Sequence, residues 1–277
     1  MAADCHIHMV LDGADWRASI ARHAEGPDEG WIRQALSAYK ALGYTYLRDG
    51  GDRWGAGALA RTLAPEYGIT YRTPLAPLCK AGHYGSFIGL RYENLREYAQ
   101  LVRKQKAAGA DFIKIMISGL MDFDRFGVLT EPGLHKEEIR ELIHIAHQEG
   151  MAVMAHANGA RTVEAAAAAG VDSVEHGAYL DMDALSAMAQ SGTVWVPTLS
   201  AVANLRGTGL FSETALEKIL EDTMEKLSVC KCPVAPGSDA GARTVPHGAD
   251  TEYALLAQAG ITAQRLEQGT EIIRAKF

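Results

Sequence analysis

Six residues have the types to do chemistry together: His6 and His8 in the stretch Asp4-Cys5-His6-Ile7-His8, then Lys114, His156, His176 and Asp239. Imidazoles, an amine and a carboxylate are groups that bind divalent metal ions and move protons. His6 and His8 stand one residue apart in an apolar run, residues 5–11. In an extended strand alternate residues share a face, so both imidazoles point the same way and could hold one metal ion between them. Taken singly, each residue has an ordinary reading. One histidine of the pair can be a satisfied core residue and the other solvated. Lys114 can be an ion-pair partner, and Asp239 can cap the turn after it. The set is harder to explain as packing, because buried ionisable groups must pair or bind metal.

The elements that position these residues follow a repeated pattern: a helix-like stretch, a glycine, then a short apolar run. Gly43, Gly68, Gly109, Gly150, Gly170 and Gly192 each occupy that place. Glycine just past a helix end supplies the left-handed cap, so each unit reads as helix, cap, strand. Residues 93–108 and 134–149 carry apolar side chains on one side, as packed helices do. Asp181 and Ser212 read as N-caps of helices running to Gln190 and about Val229. With residues 5–11 first and 233–236 last, the chain gives eight strands alternating with helices. The expected fold is therefore α/β, a single-domain (β/α)8 TIM barrel over residues 1–277. An open doubly wound sheet is the alternative, but no G-x-G-x-x-G turn follows Leu11. In the barrel, active sites sit at the C-terminal ends of the strands. His6, His8, Lys114, His156, His176 and Asp239 then converge from five strands on one mouth.

Composition sets limits. The chain has 277 residues, 48% hydrophobic and 22% charged, which suits one large globular domain. A net charge of −7 with no basic block argues against a nucleic-acid partner. No apolar run approaches the ~18 residues of a membrane span. With no basic segment before an apolar stretch at the start, a signal peptide is not expected, and the four cysteines are expected to be reduced in the cytoplasm.

The ordered set His6-x-His8, Lys114, His156, His176 and Asp239, spread over nearly the whole chain, resembles the metal-dependent amidohydrolases. Gly43-Tyr-Thr-Tyr-Leu-Arg-Asp49, Asp111-Phe-Ile-Lys-Ile115 and Val245-Pro-His-Gly248 are similar to the branch containing imidazolonepropionase-like enzymes and metal-dependent prolidases. The resemblance implies two divalent metal ions, zinc first, with manganese, iron or nickel as alternatives. His6, His8 and Asp239 would bind one ion and His156 and His176 the other. A carboxylated Lys114 would bridge them, since a lysine in an apolar strand near cations has reason to lose its proton and a neutral amine takes up carbon dioxide. Asp239 would also carry the proton. The activity implied is hydrolysis of an amide or peptide-like C–N bond in a small molecule. Ester or lactone hydrolysis and a mononuclear deaminase are alternatives. A degenerate barrel that only binds metal or ligand is an alternative of another class.

Other residues are weaker candidates. Ala81-Gly-His83-Tyr84-Gly85 resembles a Gly-Gly-His-Gly loop of related hydrolases, with Ala81 in place of the first glycine; His83 and Tyr84 are candidates for catalysis or substrate binding, against a simple turn. Arg243 and His247 are candidates for a substrate carboxylate. Residues 118–132 read as a lid. His144 and His147 read as a solvated helix face. The resemblance implies that most relatives in this branch carry a small β-sandwich built from residues before the first strand and after the last helix; with the first motif beginning at Asp4, none is expected here. The surface it would cover is expected to be exposed, packed differently or covered by a partner subunit in a homo-oligomer.

Overall fold

The computed structural model describes residues 2–277. Nine strands run β1 (Ala2–Ile7), β2 (Tyr44–Asp49), β3 (Thr70–Arg72), β4 (Leu78–Lys80), β5 (Leu90–Tyr92), β6 (Ile113–Met116), β7 (Val153–Ala157), β8 (Ser173–His176) and β9 (Val194–Val196). Every pairing is parallel, in two runs, β1-β2-β3 and β5-β4-β6-β7-β8-β9. The runs join at both ends, which gives the (β/α)8 barrel. On one side the chain itself makes the join. β3 pairs with β2 and β4 with β6, so the expected third strand is one strand interrupted at Pro74-Leu75-Ala76-Pro77. Proline has no N–H for the ladder, and Leu75 is left-handed at φ 64°. On the other side, residues 233–240 lie between β9 and β1. Ala235 N–H donates to Trp195 O at 3.0 Å, Cys5 N–H to Pro236 O at 2.8 Å and Asp239 N–H to His6 O at 2.8 Å. The expected eighth strand, 233–236, thus fills its place by single bridges and not by a regular ladder.

Local chemistry explains the helices. The six cap glycines all have positive φ, between 71° and 84°. Asp181 and Ser212 accept from Ala184 N–H at 2.9 Å and Ala215 N–H at 3.3 Å. In the helix Lys136–Gln148, Ile139, Leu142, Ile143 and Ala146 are fully buried. On its outer side His147 is not merely solvated: its Nε2 lies 2.9 Å from Asp172 Oδ2. Below the mouth, Phe112 and Phe277 meet edge to face at 5.2 Å, and the Arg48 guanidinium sits 4.4 Å from the Phe277 ring centre. The helix Ala263–Lys276 lies close against residues 233–235; a Cβ on Gly269 would stand 2.1 Å from Val234 O. All four cysteines are free. Among the described residues no helix is long and apolar enough to cross a membrane.

Candidate active site

The first strand ends earlier than expected, at Ile7, and His8 lies just beyond it. The alternation still holds. His6 Nε2 and His8 Nε2 face each other at 3.3 Å, and Asp239 Oδ1 lies 3.5 Å and 3.3 Å from them. His6 is locked from behind by a contact of 2.7 Å between its Nδ1 and Glu175 Oε2. Burial, with the charge of Lys114 next, holds His6 well below the usual histidine range, so it is neutral.

His156 and His176 complete the floor, with ring centres 4.5 Å apart and His176 5.0 Å from His6. His156 spends Nε2 on Gly119 O at 3.1 Å, which leaves Nδ1. His176 spends Nδ1 on Thr198 Oγ1 at 2.7 Å, which leaves Nε2. Burial pushes His156 down to about 3 and His176 well below its ordinary value. Lys114 is 1% exposed, and burial lowers its amine from 10.5 to about 8 against the opposing pull of Glu175. His176, Thr198 and Asp239 all have left-handed backbone, φ 66°, 53° and 59°. Such conformations cost about 1–3 kcal/mol each and persist where surrounding structure imposes them.

These donors fit a metal ion on the structure's own terms. Lys114 Nζ, Asp239 Oδ1 and His8 Nδ1 are buried without a hydrogen-bond partner. Asp239 Oδ1 is near both imidazoles but out of hydrogen-bonding alignment with either. Buried polar atoms left this way are costly. The three ligand atoms of His6, His8 and Asp239 stand 3.3–3.5 Å apart. That spacing matches the roughly 3.3–3.4 Å edge of a tetrahedron built on zinc bonds of about 2.0–2.1 Å.

The floor opens into a cavity of about 400 Å³ whose walls are apolar: Trp16, Phe87, Met121, Phe123, Leu205 and Phe211. Tyr84 lines it too, its ring 4.7 Å from that of His156, and burial raises its phenol well above the ordinary value. Arg243 lies at the exposed rim. The expected lid, residues 118–132, is a folded wall. Phe123 packs on Phe211 at 5.2 Å, and Ser212 N–H donates to Asp124 Oδ1 at 2.8 Å.

Two candidates are not brought to the cavity. His247 is buried beside it, with Nε2 on Leu11 O at 2.8 Å and Nδ1 on Tyr39 Oη at 3.1 Å. With both ring nitrogens engaged it ties its loop to Leu11 and to Tyr39 of the helix Glu29–Ala41, and has nothing left for a substrate. His83 does not line the cavity and stands half-exposed, 3.6 Å from Glu131. Sequence reasoning missed Arg48, Glu175, Asn158 and Thr198: Glu175 meets His6, Thr198 meets His176, Asn158 Nδ2 lies 3.4 Å from His156 Nε2, and Arg48 pairs with Glu175. Glu175 adjoins His176 in sequence, and a carboxylate one residue before a candidate metal ligand was the available signal.

Comparison with known proteins places the chain. The sequence pattern of the amidohydrolase family matches residues 61–265. Ochratoxinase of Aspergillus niger is 26% identical over 246 residues, covering 76% of this chain and 50% of that protein. An uncharacterized protein of Mycobacterium tuberculosis is 27% identical over 197 residues, covering 67% of this chain and 52% of that protein. The chain therefore spans about half the length of these curated relatives. A Xaa-Pro dipeptidase crystal structure superimposes with a TM-score of 0.76 at 21% identity, over 99% of this chain and 75% of that one. The crystal structure of Aspergillus niger ochratoxinase gives 0.71 at 24%, over 96% and 68%.

Proposed function

The chain belongs to the amidohydrolase family, and from that premise we propose that it hydrolyses an amide or peptide-like C–N bond of a small molecule with the help of divalent metal ions. His6, His8 and Asp239 would hold one ion, and His156 and His176 a second. Lys114, carboxylated on Nζ, would bridge them. Zinc suits this nitrogen and oxygen set best, with manganese, iron or nickel as alternatives. The observation that carries the reading is the floor itself: Asp239 Oδ1 and Lys114 Nζ, buried with no hydrogen-bond partner, gathered with the ring nitrogens of His6 and His8 at the bottom of a cavity with apolar walls. Metal ions bound there supply Lewis acidity toward a carbonyl and lower the pKa of water.

The protein's own groups divide the remaining work. Asp239 accepts the proton released as water adds and returns it to the leaving nitrogen, so that water and amide become acid and amine. Tyr84, kept as a phenol by burial, donates its O–H toward the carbonyl oxygen. Trp16, Phe87, Phe123 and Phe211 hold a bulky apolar group and keep water out. Arg243 takes a carboxylate at the rim.

The test is a panel of N-acyl amino acids, dipeptides, esters and lactones, assayed on metal-loaded protein with and without chelator. C–N hydrolysis that chelator removes, and that Asp239→Asn lowers by at least about 100-fold, is expected. No turnover across the panel, or full activity in Asp239→Asn, contradicts the reading.

A further inference from the structure

We propose that Arg48 and Glu175 are a positioning pair that dictates which nitrogen of His6 faces His8 and Asp239; the metal-binding consequence rests on the function proposed above, while the tautomer itself does not.

The pair lies wholly inside the barrel, and both side chains are 0% exposed. Arg48 sits on β2, next to His6 on β1, and Glu175 reaches across from β8. Arg48 Nε donates to Cys5 O at 2.7 Å, which ties it to the strand carrying His6. Its Nη1 donates to Ser173 Oγ at 2.9 Å, and its Nη2 to both oxygens of Glu175, at 2.9 and 3.1 Å. Ser173 Oγ donates to Glu175 Oε1 at 2.6 Å. His6 Nδ1 is the remaining partner, 2.7 Å from Glu175 Oε2.

The proton assignment follows from counting. Arg48 Nη2 donates to both oxygens of Glu175 and Ser173 Oγ donates to Oε1, so the carboxylate meets His6 as an acceptor. His6 must then be the donor through Nδ1–H. A neutral imidazole has one N–H, so Nε2 presents a lone pair toward His8 and Asp239. Without Glu175 the proton could sit on Nε2 and point into the cluster, where it would block a ligand position. A purely structural pair would leave the tautomer to chance. Replacement of a buried ion pair by neutral groups is often harmless to stability, so stability alone does not report on the role.

The experiment reads the tautomer first, by ¹⁵N NMR of histidine-labelled, metal-free protein. His6 is expected with a protonated Nδ1 and an unprotonated Nε2. The variants are Glu175→Gln and, because an unpaired buried guanidinium can prevent folding, the charge-neutral double variant Arg48→Gln/Glu175→Gln. In whichever variant folds, His6 should become a tautomer mixture, and zinc affinity measured against a competing chelator should fall about 10–100-fold. An Nε2–H tautomer in the unaltered protein overturns the proposal, and this result can be obtained even if both variants fail to fold. A folded variant that keeps the Nδ1–H tautomer and full zinc affinity also overturns it. If the unaltered protein binds no zinc, the metal reading fails while the tautomer result still decides the pairing.

Discussion

Replacing Lys114 by methionine should make the metal-free protein more stable. Methionine has nearly the length of lysine without its charge, and Lys114 Nζ is buried with no hydrogen-bond partner. Burial lowers the amine from 10.5 to about 8. At about 1.4 kcal/mol per pH unit, the charged amine costs the folded state roughly 3 kcal/mol. The sign follows from proton counts. Below pH 8 the amine is protonated in both folded and unfolded chains, and the full cost is felt. Between about 8 and 10.5 the folded chain has released its proton while the unfolded chain retains it, so the stability of the unaltered protein rises with pH. The advantage of Lys114→Met should therefore be about 3 kcal/mol at pH 7 and shrink between pH 8 and 10.5. Urea unfolding followed by circular dichroism in excess chelator measures it at both ends. At about 2–4 °C per kcal/mol, thermal unfolding should move up by several degrees. The same variant should lose hydrolytic activity, because Lys114 is the residue proposed to bridge the metal ions. Equal or lower stability of Lys114→Met at pH 7 would refute the reasoning.

Three further outcomes follow from other parts of the fold. Gly269→Ala should destabilise by on the order of 1–3 kcal/mol in thermal unfolding, because its Cβ would meet Val234 O at 2.1 Å; helix propensity alone predicts a gain of about 1 kcal/mol, so a stabilised variant would show that the helix shifts freely. Burial holds His247 at about 4 against an ordinary 6.5, so the folded chain resists protonation and stability should fall as pH drops from 6.5 toward 4, by about 3 kcal/mol; His247→Gln should flatten that part of the urea-midpoint profile. Arg243→Gln should raise KM about tenfold for carboxylate-bearing substrates and leave carboxylate-free analogues unchanged; equal effects on both would assign Arg243 elsewhere.

Much of this architecture is legible in the chain, because local rules agree with the global fold. The cap glycines, the apolar stripe of Ile139, Leu142, Ile143 and Ala146, and the strand-end placement of His156 and His176 each follow from short-range chemistry. What stayed hidden depends on neighbours distant in sequence. The interruption between β3 and β4 arises because one stretch must pair with β2 and then with β6. Residues 233–236 read as a strand, yet their backbone partners change from β9 to β1 within a few residues. Glu175 and Arg48 could each have faced either side of a strand, and only the barrel interior makes them partners. His247 and His83 are loop residues near the mouth, where spacing does not fix direction. His247 turned inward because Tyr39 and Leu11 O offered partners for both nitrogens.

The most direct test of the central claim is the metal content of the protein, measured by elemental analysis after purification without chelator and again after loading with zinc. The arrangement of His6, His8, Lys114, His156, His176 and Asp239 predicts about two divalent ions per chain, with Lys114→Met reducing that number. A chain that retains no divalent ion, even after loading, would contradict the account.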